Sequence, residues 1–191
     1  MFTRGKGQGK LTGRALDCTA FNQSTEYQRS INPLTHYCLF HLFQVILKQL
    51  VDAAKDLEEK HIFHRDIKSE NILIETSSDV PRVRIIDFGL SCFAMERSRF
   101  RFFYGTAIHT PPECYRGKKY RPGPTTVWQM GVVLYEALHV GDFNTETFLQ
   151  KELEFNKHLS SHCRNFLDAC LTNVPKKRPT LGDLQLHPWL R

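Results

Sequence analysis

Four side chains in one short region have the types that phosphoryl transfer requires: Asp66, Lys68, Asn71 and Asp87. The first three lie in His64-Arg65-Asp66-Ile67-Lys68-Ser69-Glu70-Asn71, and the fourth opens Asp87-Phe88-Gly89. A carboxylate can orient an attacking hydroxyl, an ammonium can meet charge developing on a phosphoryl group, and two oxygen ligands can hold Mg²⁺. Hard cations take carboxylate and carbonyl oxygens, so an Asn working beside an Asp is chemically reasonable.

Elements must bring these groups together. Ile72-Leu73-Ile74 and Val83-Arg84-Ile85-Ile86 predict two short strands, with the polar residues 75–81 as the turn between them. Pairing those strands sets Asn71 near Asp87, beside the loop that carries Asp66. Upstream, Leu39, Phe43, Ile46, Leu50, Ala54 and Leu57 recur at intervals of three and four, which predicts a helix over 36–60. Leu42, Val45 and Leu47 fall on other faces, so the helix should be buried on most sides. It runs directly into His61-Ile62-Phe63 and the loop. His41 and His61 read as satisfied structural histidines.

H-R-D-x-K-x-x-N followed by D-F-G resembles the catalytic loop and metal-binding motif of eukaryotic protein kinases. Lys68, two residues after Asp66, is the serine/threonine version. The resemblance implies a mostly α fold, the C-terminal lobe of a kinase, helical with short β-hairpins. It implies ATP and Mg²⁺ as cofactors, with Asp66 as base, Lys68 on the γ-phosphate, and Asn71 and Asp87 on the metal. Residues 105–113 resemble the end of an activation segment, with Pro111-Pro112-Glu113 closing it. There the family implies that Thr106 bridges Asp66 and Lys68 and that the following loop receives the substrate. Ser98 stands among Arg97, Arg99 and Arg101; a phosphate on it would pair with arginines including Arg65. The three arginines otherwise read as a solvated charge run.

A helix is predicted over 125–140. Kinases usually carry an Asp near its start that ties down the catalytic loop; here Thr126 takes the place with only a hydroxyl, which predicts a looser loop. The Pim-type serine/threonine kinases have a small residue there too, and they share Pro-Pro-Glu, Gly141-Asp142 and His187-Pro188-Trp189. The resemblance covers 37–190. Asn144 or Thr145 should cap a helix running through Phe155. Ser160 should cap another with Cys163, Phe166, Leu167 and Cys170 inward, and Thr180 with Asp183 reads as a capping box. By resemblance Arg178 pairs with Glu113, and Trp189 reads as a core anchor.

Composition bounds the rest. A chain of 191 residues, 41% hydrophobic and 24% charged, suits one globular domain. Residues 1–36 are Gly-rich and basic, then polar and aperiodic, and are expected to be poorly ordered; 37–190 form the lobe. No glycine-rich nucleotide loop precedes the central helix, so the N-terminal β lobe is expected to be absent and the catalytic domain truncated. The six cysteines show no C-x-x-C pair and read as reduced thiols of an intracellular protein, cytoplasmic with the nucleus as a second compartment. No apolar run reaches a membrane span. The net charge of +6 is spread along the chain, which argues against nucleic acid as partner. The Pim resemblance implies protein substrates with Ser or Thr acceptors in basic contexts, a preference altered because Ser69 stands where that family has an acid beside Glu70. Two functions follow: a Pim-type kinase, or an inactive kinase-lobe interaction module.

Overall fold

The computed structural model describes residues 15–16, 33–75, 80–117, 119–139, 141–151, 155–156 and 159–191. Among the described residues six α-helices follow in order: α1 Pro33–Glu59, α2 Pro112–Tyr115, α3 Pro122–Leu138, α4 Thr145–Leu149, α5 Ser161–Cys170 and α6 Leu181–Gln185. The strands are short: β1 Ala15–Leu16, β2 Ile62–Phe63, β3 Ile72–Glu75, β4 Arg82–Ile85 and β5 Cys92–Phe93. This is the mostly helical lobe that the motifs imply, and no separate β-rich lobe occurs among the described residues. Most of the 1–36 segment lies outside them. Within it, β1 pairs antiparallel with β3, and α1 begins at Pro33, ahead of the predicted start.

The core is built where α1, α3, α5 and α6 meet. On α1 the deepest positions are Leu47, Leu50, Val51 and Ala54, one helical stripe at i, i+3, i+4 and i+7. That stripe is rotated from the one predicted, since Leu47 joins it and Phe43, Ile46 and Leu57 are only partly covered. The rotation follows from what α1 packs against: β4 on one side, α6 and α3 on the others. Residues 122–138 form α3, earlier than predicted at its start, because Pro122 and Pro124 occupy first-turn positions where a missing N–H costs nothing. Thirteen of its residues are buried, including Trp128 and Met130, so it is the centre of the lobe. Gly131 lets α5 cross closely: a Cβ there would lie 2.8 Å from Cys170 Cβ and Leu171 Cδ2.

The remaining helices are short and individually fixed. Ser160 caps α5 through the Cys163 amide, with Cys163, Phe166, Leu167 and Cys170 buried as predicted. Thr180 and Asp183 form the reciprocal capping box of α6. Asn144 caps α4, which stops at Leu149 instead of running on to Phe155. Phe143 explains how so short a helix docks. Its ring is buried against Trp128, Tyr135 and Phe148, with centroids 5.8, 5.2 and 5.4 Å away. Trp189 is a core anchor, and its carbonyl accepts from Gln44 Nε2 at 2.8 Å. Cys92, Cys114, Cys163 and Cys170 are free, and burial pushes the Cys114 and Cys163 thiols up to about 12, which makes them inert.

Candidate active site

The hairpin of β3 and β4 brings the expected groups together. Ile72 is opposite Ile85, and the Ile86 amide donates to the Asn71 carbonyl at 2.9 Å, so Asn71 and Asp87 flank the open end of one ladder. Gln49 on α1 fixes that hairpin to the core. Its Nε2 donates to the Pro81 carbonyl at 2.7 Å, and its Oε1 accepts the Val83 amide at 3.0 Å.

Asp66 is the hub of the site. One carboxylate oxygen, Oδ1, accepts both the Thr106 amide at 2.9 Å and the Thr106 hydroxyl at 2.7 Å. The other, Oδ2, faces Lys68 Nζ at 3.5 Å and accepts from Asn71 Nδ2 at 3.4 Å. The bridging group is thus Asp66 and not, as expected, Thr106: Thr106 binds Oδ1 while Lys68 faces Oδ2. Partial burial pushes the Asp66 carboxyl up, but the two Thr106 bonds and the Lys68 ammonium outweigh it and hold the group below its ordinary range. It is a carboxylate at neutral pH.

Asn71 is buried, and its Nδ2 donates to the Asp66 carbonyl at 2.8 Å. With Nδ2 committed, Oδ1 is the atom it would offer a cation. Asp87 is exposed, sits at φ +59°, and accepts the Gly89 amide on Oδ1 at 3.1 Å. One carboxylate and one amide oxygen fit Mg²⁺, which keeps several waters and is completed by substrate phosphates instead of a protein cage. Phe88, next to Asp87 in the chain, is 44% exposed and packs edge-on against His64, centroids 4.9 Å apart.

Other residues hold the site that residue spacing did not reveal. His64 is buried; its Nε2 is 3.0 Å from the Ile86 carbonyl, and its Nδ1 accepts the Asp66 amide at 3.3 Å. That pattern requires a neutral ring donating from Nε2, and burial accordingly lowers its pKa. By contrast, His41 and His61 are exposed, so the satisfied histidine of this region is His64. The Arg65 guanidinium lies over aromatic rings, 4.7 Å from the Phe100 centroid and 5.2 Å from that of Tyr104. Gln129 on α3 reaches the Arg65 carbonyl with Nε2 at 2.5 Å, so α3 does hold the loop, from a position three residues beyond Thr126.

A buried polar link joins the Asp66 loop to the segment after Thr106. Glu136 on α3 accepts from the Ser69 hydroxyl at 2.9 Å, and its Oε1 lies 3.0 Å from His109 Nε2, outside hydrogen-bond geometry. Below it, Arg178 and Glu113 form the expected bidentate pair at 2.9 and 2.7 Å, fully buried, with the guanidinium 4.9 Å from the Trp128 ring centre.

Comparison with known proteins gives the family. The protein kinase domain matches residues 21–190, and the chain belongs to that family. Serine/threonine-protein kinase pim-2 of Danio rerio is 40% identical over 147 residues, 75% of this chain and 46% of the relative. Protein kinase kin1 of Schizosaccharomyces pombe is 34% identical over 152 residues, covering 75% and 17%. Serine/threonine-protein kinase PSK2 of Saccharomyces cerevisiae is 32% identical over 155 residues, covering 79% and 14%. The chain thus spans less than half the length of these relatives. Kinase domains generally use ATP with a divalent metal.

Proposed function

We propose that this chain carries the phosphotransfer half of a Pim-type protein serine/threonine kinase, moving the γ-phosphate of ATP to Ser or Thr of protein substrates. The observation that carries the reading is the state of Asp66: ionised, oriented through Oδ1 by both donors of Thr106, with Lys68 and Asn71 on the side of Oδ2. Asp66 would hold the acceptor hydroxyl and take its proton. Lys68 would stand against the charge that develops during transfer, and Asn71 Oδ1 with the Asp87 carboxylate would hold the metal. Bound Mg²⁺ and ATP would supply the phosphoryl group and neutralise its oxygens. The Pim assignment is supported by the 40% identity to pim-2 and by Thr126, Pro111-Pro112-Glu113 and His187-Pro188-Trp189. Exposed Glu70 beside the loop favours basic substrates.

The test is transfer of labelled phosphate to Ser-containing basic peptides by the chain and by Asp66→Asn. Loss of a general base is expected to lower the rate roughly 10²–10⁴-fold; equal signal from the two would sink the assignment. A second reading, a kinase-lobe module that binds partners without turnover, is favoured by the exposure of Ile86, Phe88 and Leu90 around the metal-binding residues. A Mg²⁺-dependent rise in melting temperature with ATP would argue against it.

A further inference from the structure

The peptide unit that precedes Asp66 is held at both ends. Its N–H, on Asp66, donates to His64 Nδ1 at 3.3 Å, and its carbonyl, on Arg65, accepts from Gln129 Nε2 at 2.5 Å. Arg65 sits at φ +75°, a left-handed conformation that a residue with a Cβ adopts only when its surroundings impose it. The carbonyl is also closely enclosed, since a Cβ on Gly105 would lie 2.8 Å from it. Gly105 immediately precedes Thr106, the residue that binds the Asp66 carboxylate. One carbonyl is therefore the point where the Asp66 loop, the segment of Thr106 and α3 converge.

Gln129 is a poor choice for packing alone. It is 2% exposed, between Trp128 and Met130 in the most buried helix of the fold, and its Oε1 has no hydrogen-bond partner. A buried amide with one end unsatisfied costs stability that an apolar side chain of the same size would not. We infer that Gln129 is a positioning residue: by fixing the plane of the Arg65–Asp66 peptide it keeps the Asp66 carboxylate against Thr106. It acts through a carbonyl acceptor, where the hydroxyl of Thr126 makes no such contact. The inference rests on the catalytic reading of Asp66 for its consequence in rate, and on the geometry alone for the clamp.

Gln129→Leu and Gln129→Met keep the bulk and remove the donor; Met adapts to the site should Leu not fold. Two measurements on the full chain separate the outcomes. Amide hydrogen exchange at Thr106, whose N–H is bonded to Asp66, is expected to quicken about tenfold for the loss of one hydrogen bond, with the amides of α5 unchanged. In phosphate transfer, kcat is expected to fall by about the same factor while KM for the peptide holds. Unchanged Thr106 exchange, or faster exchange spread evenly over α5 as well, would overturn the clamp. Site-confined exchange with kcat unaltered would overturn Gln129 as a positioning residue. Site-confined exchange in a chain whose wild type transfers no phosphate would support the clamp and remove the phosphotransfer reading instead.

Discussion

The ionisation of Asp66 is set by one neighbour more than by any other. Thr106 supplies two bonds to Oδ1, and these with Lys68 overcome the effect of burial. Thr106→Val removes the hydroxyl and leaves the amide, so the carboxyl should rise toward its ordinary value. The sign is fixed: a higher pKa means less carboxylate at a given acidic pH, so the acid limb of the pH–rate profile moves to higher pH. Loss of one charge-assisted bond should also slow transfer about tenfold at neutral pH. Asp66, Lys68, Asn71 and Asp87 were legible in the sequence because loop and hairpin place them locally, with the Asn71–Ile86 bond closing the arrangement. Gln129 and Glu136 were not. Each meets the loop from more than sixty positions away, and nothing in a helical pattern of apolar residues says which buried amide or carboxylate faces a distant carbonyl or hydroxyl.

Among elements, α3 carries the greatest demands, because the loop, α5 and the Arg178–Glu113 pair all rest on it. Arg178 also donates to the Pro124 carbonyl at the start of α3 and to that of Thr172. Arg178→Met strands a buried carboxylate and should cost ~3–5 kcal/mol of unfolding free energy, read by denaturant melts. Replacing both members with apolar residues should cost less, since neither charge is then left alone. Gly131→Ala should cost ~1–3 kcal/mol, because the added methyl meets Cys170 and Leu171 and α5 must shift. The caps of α5 and α6 could be read from Ser160, Thr180 and Asp183, whose side chains act on amides within the next turn. The length of α4 could not: Phe148 packs against Phe143, Trp128 and Phe155, all outside the helix, and the apolar pattern alone does not show that.

Among the described residues three histidines are kept neutral by the fold. His64, His139 and His187 each accept a backbone amide on one ring nitrogen, from Asp66, Asn156 and Trp189. Burial lowers all three pKa values, with His162 adding repulsion at His187. The unfolded chain therefore binds more protons than the folded one once the pH falls to about 6.5 and below, and stability must decrease there. Melting temperature should drop as the pH is lowered from about 7 to about 5, above the range in which ordinary carboxylates titrate. His64→Gln should flatten part of that slope while loosening the loop; a curve with no slope in this window would contradict the assignment of neutral rings.

The rings around Arg65 have a consequence for solution conditions. Phe100 and Tyr104 present quadrupoles, not net charge, to the guanidinium. Dissolved counterions have no opposite partner there to displace, whereas the Lys55–Glu58 pair on the outside of α1 is open to them. Adding salt should thus weaken the outer surface of that helix while leaving the Phe100 and Tyr104 rings seated on Arg65.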